Sequence, residues 1–233
     1  MSDKRAALLR MYDVLPFAEH PFWRAVRSHE LTYEQVIQGE VQHWLRTRAG
    51  QPLRRNALTL AKKVSPPIFE ALLQTYLEEC THDATGPSHL DLVERLVTLG
   101  GVSKDQLDCS SNTPGNAAAI ALYRDIGTRG AGCHMLGAGT VEYFYSQLSP
   151  RIYTAYTELY GMSDAQAETY RIHGAMDAEH AERAFEILDH AADLHGWSTV
   201  EASVRDAFVA TSLHYDGMFQ AATGELGYWN GKA

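Results

Sequence analysis

Apolar residues recur at helical spacing along almost the whole chain, and no segment shows the strict apolar/polar alternation of β-branched residues that a half-buried strand needs. A chain patterned this way can bury its apolar stripes only against other helices, so the predicted fold class is all-α. With 233 residues, 45% of them hydrophobic, it is long enough for one good core. No Pro/Gly/Ser-rich or charge-run linker divides it, which predicts a single domain over 1–233.

Local signals punctuate the helices. Thr32, followed by Glu34 and Gln35, opens a helix that is predicted to run to about Ala49 and to stop at Gly50 and Pro52. Ser65 with Pro66 and Pro67 opens the next, to about Cys80 or His82. Gly86 and Pro87 bend the chain before His89 starts the amphipathic run HLDLVERLVTLG. Further helices are predicted near Ala117 to Ile126, Arg129 to Gln147 and Arg151 to Leu159. A long one follows from Ser163 to about His195, ended by Gly196, and Ser198 caps a last one to about Ala222.

Charge and cysteine content narrow the function. A net charge of -9 with 20 Lys and Arg is poor equipment for tracking phosphates, so nucleic-acid partners are not expected. Cys80, Cys109 and Cys133 are too few and too irregular for a disulfide framework or a CxxC zinc site, which fits a reducing compartment. No stretch approaches the roughly 20 apolar residues that span a bilayer, and the start MSDKRAALLRMYDVL has no signal-peptide pattern. A soluble, cytoplasmic protein is the expectation.

The sharpest chemical signal is HGAMDAEH. His173, Asp177 and His180 stand at i, i+4 and i+7, within an arc of about 60° at ~100° per residue, so one helix face offers two imidazoles and a carboxylate. That set suits ferrous iron or manganese; the competing reading is an exposed polar face, as Glu179, Glu182 and Arg183 are expected to form. A second cluster, LEECTHDATGPSHLDL, supplies Glu79, which can face inward beside Leu72, Leu73 and Tyr76, whereas Glu78 is expected to face water. His82 and His89 compete for the imidazole there, since Glu79 and His82 form an E-x-x-H pair like those of ferritin-like bundles. Glu142 is the third element, a lone carboxylate among Val141, Tyr143, Phe144 and Tyr145 that needs a hydrogen bond or a cation if buried. Gly137 and Gly139 before it would let neighbouring helices approach closely. Three inward carboxylates with two or three imidazoles are hard to explain without cations, and two metals balance them better than one. Zinc is the weaker choice, because no cysteine is placed to ligate and the ligands exceed a tetrahedral set.

In this order of ligands the chain resembles the heme-oxygenase-like diiron oxidases: Glu79, His89 ten residues on, Glu142, then His173, Asp177 and His180. The resemblance implies a heme-oxygenase-like bundle of about seven core helices that binds no heme, and it selects His89 over His82. It further implies two iron ions, with a mixed Mn/Fe site still open, and dioxygen as cosubstrate. A peroxo-diferric intermediate would then attack a small amino-acid-derived or amine substrate, by N-oxygenation or oxidative C–C cleavage, in specialised biosynthesis. An external electron donor and a homodimer belong to the same expectation. Relatives line their pockets near Glu40 and His43, and Tyr145 lies one turn after Glu142, so these three are substrate-pocket candidates. Trp23 stands where aminobenzoate-forming members carry a sacrificed tyrosine, and Cys133 lies too far before Glu142 to serve as a thiaminase nucleophile. Two other classes stay open on the residues: a ferritin-like ferroxidase, and a metal-free helical binding protein.

Overall fold

The computed structural model describes residues 3–81 and 86–232. His82 and Asp83 therefore lie outside the described residues. Eleven α-helices and two 3-10 turns make up the regular structure, with no strand among the described residues. In chain order they are α1 (Asp3–Arg10), α2 (Pro21–Arg27), α3 (Tyr33–Val64), α4 (Pro66–Cys80), α5 (His89–Leu99), α6 (Lys104–Cys109), α7 (Pro114–Thr128), α8 (Ala131–Glu158), α9 (Glu168–Glu186), α10 (Leu188–His195) and α11 (Trp197–Thr223). Four of them, α1, α2, α6 and α10, have eight residues or fewer. The other seven form the bundle: α9 packs along α8, α7 along α11, and α3 against α11, α4 and α5. Trp23, Phe22, Tyr156, Tyr170 and Phe208 fill the core between them. No helix is long and apolar enough to cross a membrane.

The caps predicted for α3 and α4 act where the sequence places them. Thr32 and Gln35 close a reciprocal capping box at the start of α3, and Ser65 accepts from the Ile68 amide ahead of the Pro66–Pro67 turn of α4. Ser88 and Asp91 make a second capping box, which makes His89 the first residue of α5. Gly196, at φ +84°, ends α10 in a conformation open to glycine, and it is itself the N-cap of α11 in place of Ser198.

The differences concern continuity. α3 does not stop at Gly50 but passes through Pro52 to Val64, and α8 passes through Pro150, joining two segments predicted as separate. Both prolines are exposed, so each costs one helical hydrogen bond on an outer face while the buried stripe carries on, and tertiary packing outweighs the loss. The single helix predicted from Ser163 to His195 is instead two. Ser163 organises a short turn ahead of α9, and the chain breaks again at Ile187, where no glycine or proline marks the place.

Candidate metal centre

Four helices deliver the candidate ligands to one interior region. α9 turns His173, Asp177 and His180 inward together; they are 3%, 2% and 1% exposed, while Glu179 and Glu182 on the opposite face are exposed. Glu79 comes from the last turn of α4 and is 4% exposed, His89 from the capped first turn of α5, and Glu142 from the middle of α8.

Glu79 is the meeting point. It shares one set of converging donor atoms with His89 and His173, and a second with Asp177 and His180, each set lying within 4.8 Å. Its Oε2 is 2.9 Å from His89 Nδ1, and its Oε1 is 3.4 Å from His173 Nε2 and 3.8 Å from His180 Nδ1. Glu142 falls outside both three-residue sets, but its Oε2 stands 3.7 Å from His180 Nδ1. The unused nitrogens are fixed by hydrogen bonds at the other side of each ring. His173 Nδ1–H donates to the Thr169 carbonyl at 2.6 Å, and His180 Nε2–H donates to Glu78 Oε2 at 2.9 Å. This leaves His173 Nε2, His180 Nδ1 and Asp177 Oδ2 buried with no hydrogen-bond partner. Buried polar atoms left without partners are costly, and imidazoles anchored through one nitrogen with the other free of a partner are how proteins present nitrogen ligands to a metal. The residues fit a cation.

The electrostatics agree. Burial opposes ionisation of Glu79, yet Arg54, His89 and His173 together hold its carboxyl well below the usual range. Burial likewise depresses His173, but Asp177 and Glu79 outweigh it and raise the imidazole to about 9. Asp177 is pushed up by burial, with Glu142 and Glu79 adding to the effect. The His173–Asp177 pair thus keeps a proton at neutral pH that a cation must displace. Apparent affinity for ferrous iron is therefore expected to rise about tenfold per pH unit up to about pH 9 and then level off. Titrations at several pH values with proton release followed in weak buffer would show it, and uptake independent of pH between 6.5 and 8.5 would contradict it.

Two neighbours escaped the sequence reading. Glu78, expected to face water, is half-buried and takes hydrogen bonds from His180 and from Arg183 Nη1 at 3.0 Å. Arg54, in the part of α3 beyond its predicted end, lies 2.5 Å from Glu79 Oε2 and 3.6 Å from Glu142 Oε1. Here the guanidinium supplies the countercharge that a metal would supply. Arg54→Gln is expected to lower the stability of the metal-free protein by about 3 kcal/mol, since it leaves buried carboxylates unpaired. It should also tighten ferrous binding, because a competitor for Glu79 is gone. Melting curves with and without iron would show both changes, and a wild-type response to iron would speak against competition.

The pocket candidates are divided. An inner cavity of about 520 Å³, mouth included, is walled by His43, Tyr145, Trp23 and Tyr170 and reaches Glu79, Glu142, His173 and Asp177. His43 and Tyr145 therefore face it. Glu40, fully buried, is not among its walls; its oxygens accept from Tyr156, from Tyr170 at 2.6 Å and from His43 Nδ1 at 2.9 Å, so it orients His43. An outer cavity of about 760 Å³, mouth included, lies along Arg46, Thr47, Tyr123 and His134 and shares Arg54, Glu79, His89 and Glu142 with the inner one. Cys133 is fully buried, its thiol pushed up by burial, and it lines neither cavity.

Fold and site together define an all-helical, heme-oxygenase-like protein with a carboxylate–imidazole cluster between its core helices. The chain belongs to the family of iron-containing redox enzymes, whose family model matches residues 42–209, a span that includes all six candidate ligands. A domain of unknown function with a heme oxygenase-like fold from Shewanella denitrificans superposes with a TM-score of 0.74 at 15% identity, over 93% of this chain and 89% of that one. A CADD-like protein of unknown function from Nostoc punctiforme does so at 0.73 and 11% identity, over 97% and 100%. A TenA homolog from Pseudomonas syringae follows at 0.68 and 14% identity, over 90% and 88%. At these identities the likeness speaks for the fold alone. No curated protein matches the sequence.

Proposed function

We propose that this iron-containing redox enzyme is a non-heme diiron oxidase or oxygenase, with Glu79, His89, Glu142, His173, Asp177 and His180 holding the two ions. The observation that carries the reading is the convergence of three buried, unpartnered ligand atoms on Glu79. A residue shared between two sets of donors suits a pair of ions better than one. A metal-free binding protein gives those atoms no reason to be orphaned, and a ferritin-like bundle is not the fold observed. Iron in this setting supplies the redox chemistry that activates dioxygen.

The chain's own residues divide the remaining tasks. Thr169 and Glu78 fix the tautomers of His173 and His180, leaving the bare nitrogens turned inward. Trp23, Tyr170 and Tyr145 line the inner cavity, and burial raises the Tyr145 hydroxyl, so it stays protonated there. A small amino-acid-derived substrate undergoing N-oxygenation or oxidative C–C cleavage, with an outside electron donor, is the reaction proposed. Anaerobic ferrous titration followed by rapid mixing with oxygenated buffer tests it. Uptake near two irons per chain, with oxygen consumed and a transient visible absorption lost in His173→Ala, is expected. Absence of tight iron binding, or binding indifferent to that substitution, would remove the assignment.

A further inference from the structure

The cavities hold one cation that the ligand cluster does not use. Arg46 projects from α3 one turn after His43, where both cavities meet. Its guanidinium lies over the Tyr123 ring, 5.0 Å from the centroid, and Nη2 donates to the Tyr123 hydroxyl at 3.2 Å. Among the described residues no carboxylate pairs with it, and its Nε is buried with no hydrogen-bond partner. Next to it, Thr47 Oγ1 is also buried and unpartnered, on the wall of the outer cavity. The one buried acid on the same helix, Glu40, is already satisfied by Tyr156, Tyr170 and His43 and reaches neither cavity.

A guanidinium out of bulk water without an acid is costly, and a planar guanidinium fork matches the two oxygens of a carboxylate. The acids that do line the cavities stand at the ligand cluster, where Arg54 or bound cations neutralise them. Two divalent ions held at that cluster, together with the two guanidiniums, would outweigh the three carboxylates and leave the cavity electropositive, although the chain as a whole is acidic. The net charge alone would favour a cationic ligand; the cavity favours an anionic one.

We infer that Arg46, supported by Tyr123 and Thr47, is the seat of a substrate carboxylate, so that the substrate is an amino acid or another carboxylic acid that keeps this group. The remainder of such a molecule extends through the cavity toward Glu79 and Glu142. As a statement about the reacting substrate, this rests on the diiron reading; as a statement about binding, it can be tested separately.

Hexanoate, hexanamide, hexylamine and inorganic phosphate serve as probes, titrated into wild type, Arg46→Gln, Arg46→Lys and Tyr123→Phe by calorimetry and thermal shift. Hexanoate alone is expected to bind saturably and to raise the melting temperature. Arg46→Gln should weaken it at least about tenfold, equivalent to about 1.4 kcal/mol. Arg46→Lys, which keeps the charge but loses the fork, and Tyr123→Phe should each weaken it several-fold, and they keep the test alive if Arg46→Gln does not fold. Equal binding of hexanamide or hexylamine, tighter binding of phosphate, or wild-type hexanoate affinity in all three variants would overturn the assignment. Ferrous uptake by Arg46→Gln, measured in parallel, should match wild type. If wild type binds hexanoate but takes up no iron, the diiron reading fails while the carboxylate seat stands.

Discussion

Glu79→Ala is expected to abolish uptake of both irons, with a loss of apparent affinity exceeding about 100-fold, because removing a mere outer-sphere partner of a ligand already costs ten- to a hundredfold. Glu79 belongs to both sets of converging donors, so no substitution elsewhere removes as much of the site. His89→Ala touches one set only and should leave about one iron per chain. Glu78→Gln, which keeps a partner on His180 but removes its charge, should cost about tenfold or more without changing the stoichiometry. The three variants together read the wiring of the centre through metal content alone, independently of any substrate. Equal losses in Glu79→Ala and His89→Ala would argue for a single ion instead of a pair.

Gly139→Val is the second large effect, and it acts through helix packing. A Cβ at position 139 would sit 2.3 Å from the Cβ of Ala184 and 3.5 Å from the His180 carbonyl, so α8 and α9 touch nearly backbone to backbone beside Glu142 and His180. A β-branched side chain there must push the two helices apart. Overpacking of this kind costs about 1–3 kcal/mol, and here it also separates Glu142 from the α9 ligands. A lower melting temperature with weakened iron binding is expected, whereas Gly161→Ala, in open space at φ +65°, should affect stability alone. A Gly139→Val protein that binds iron like wild type would show that the centre does not depend on the close approach of α8 and α9.

Several features of this site are legible in the linear chain because their physics is local. His173, Asp177 and His180 share a face by helix geometry alone, and their burial confirms the face that the spacing selects. Ser88 and Asp91 fix the start of α5 within one turn, which places His89 at its tip. Gly139 was marked for close approach and provides it to α9, as Gly137 does to α11, where a Cβ would stand 3.3 Å from that of Ala207. Local rules failed where a distant neighbour outweighed them. Gly50 with Pro52, and the break expected before Arg151, suggested helix ends, but Pro52 and Pro150 each lie on an exposed face of a helix whose other side stays buried. Glu78 was assigned to water by its place beside Glu79, and only the approach of α9 gives it His180 and Arg183 as partners.

The sequence by itself determined the all-helical class, the caps that start α3 and α4, and the shared inward face of His173, Asp177 and His180, because each depends on residues within two turns of one another. Only the tertiary structure decided that Glu79 would join two sets of donors, that Arg54 would stand as their countercharge, that Glu40 would turn to tyrosines instead of the cavity, and that Arg46 would face it without an acid. Those contacts connect helices far apart in the chain, and they are set by which buried charges find partners once the whole bundle has closed.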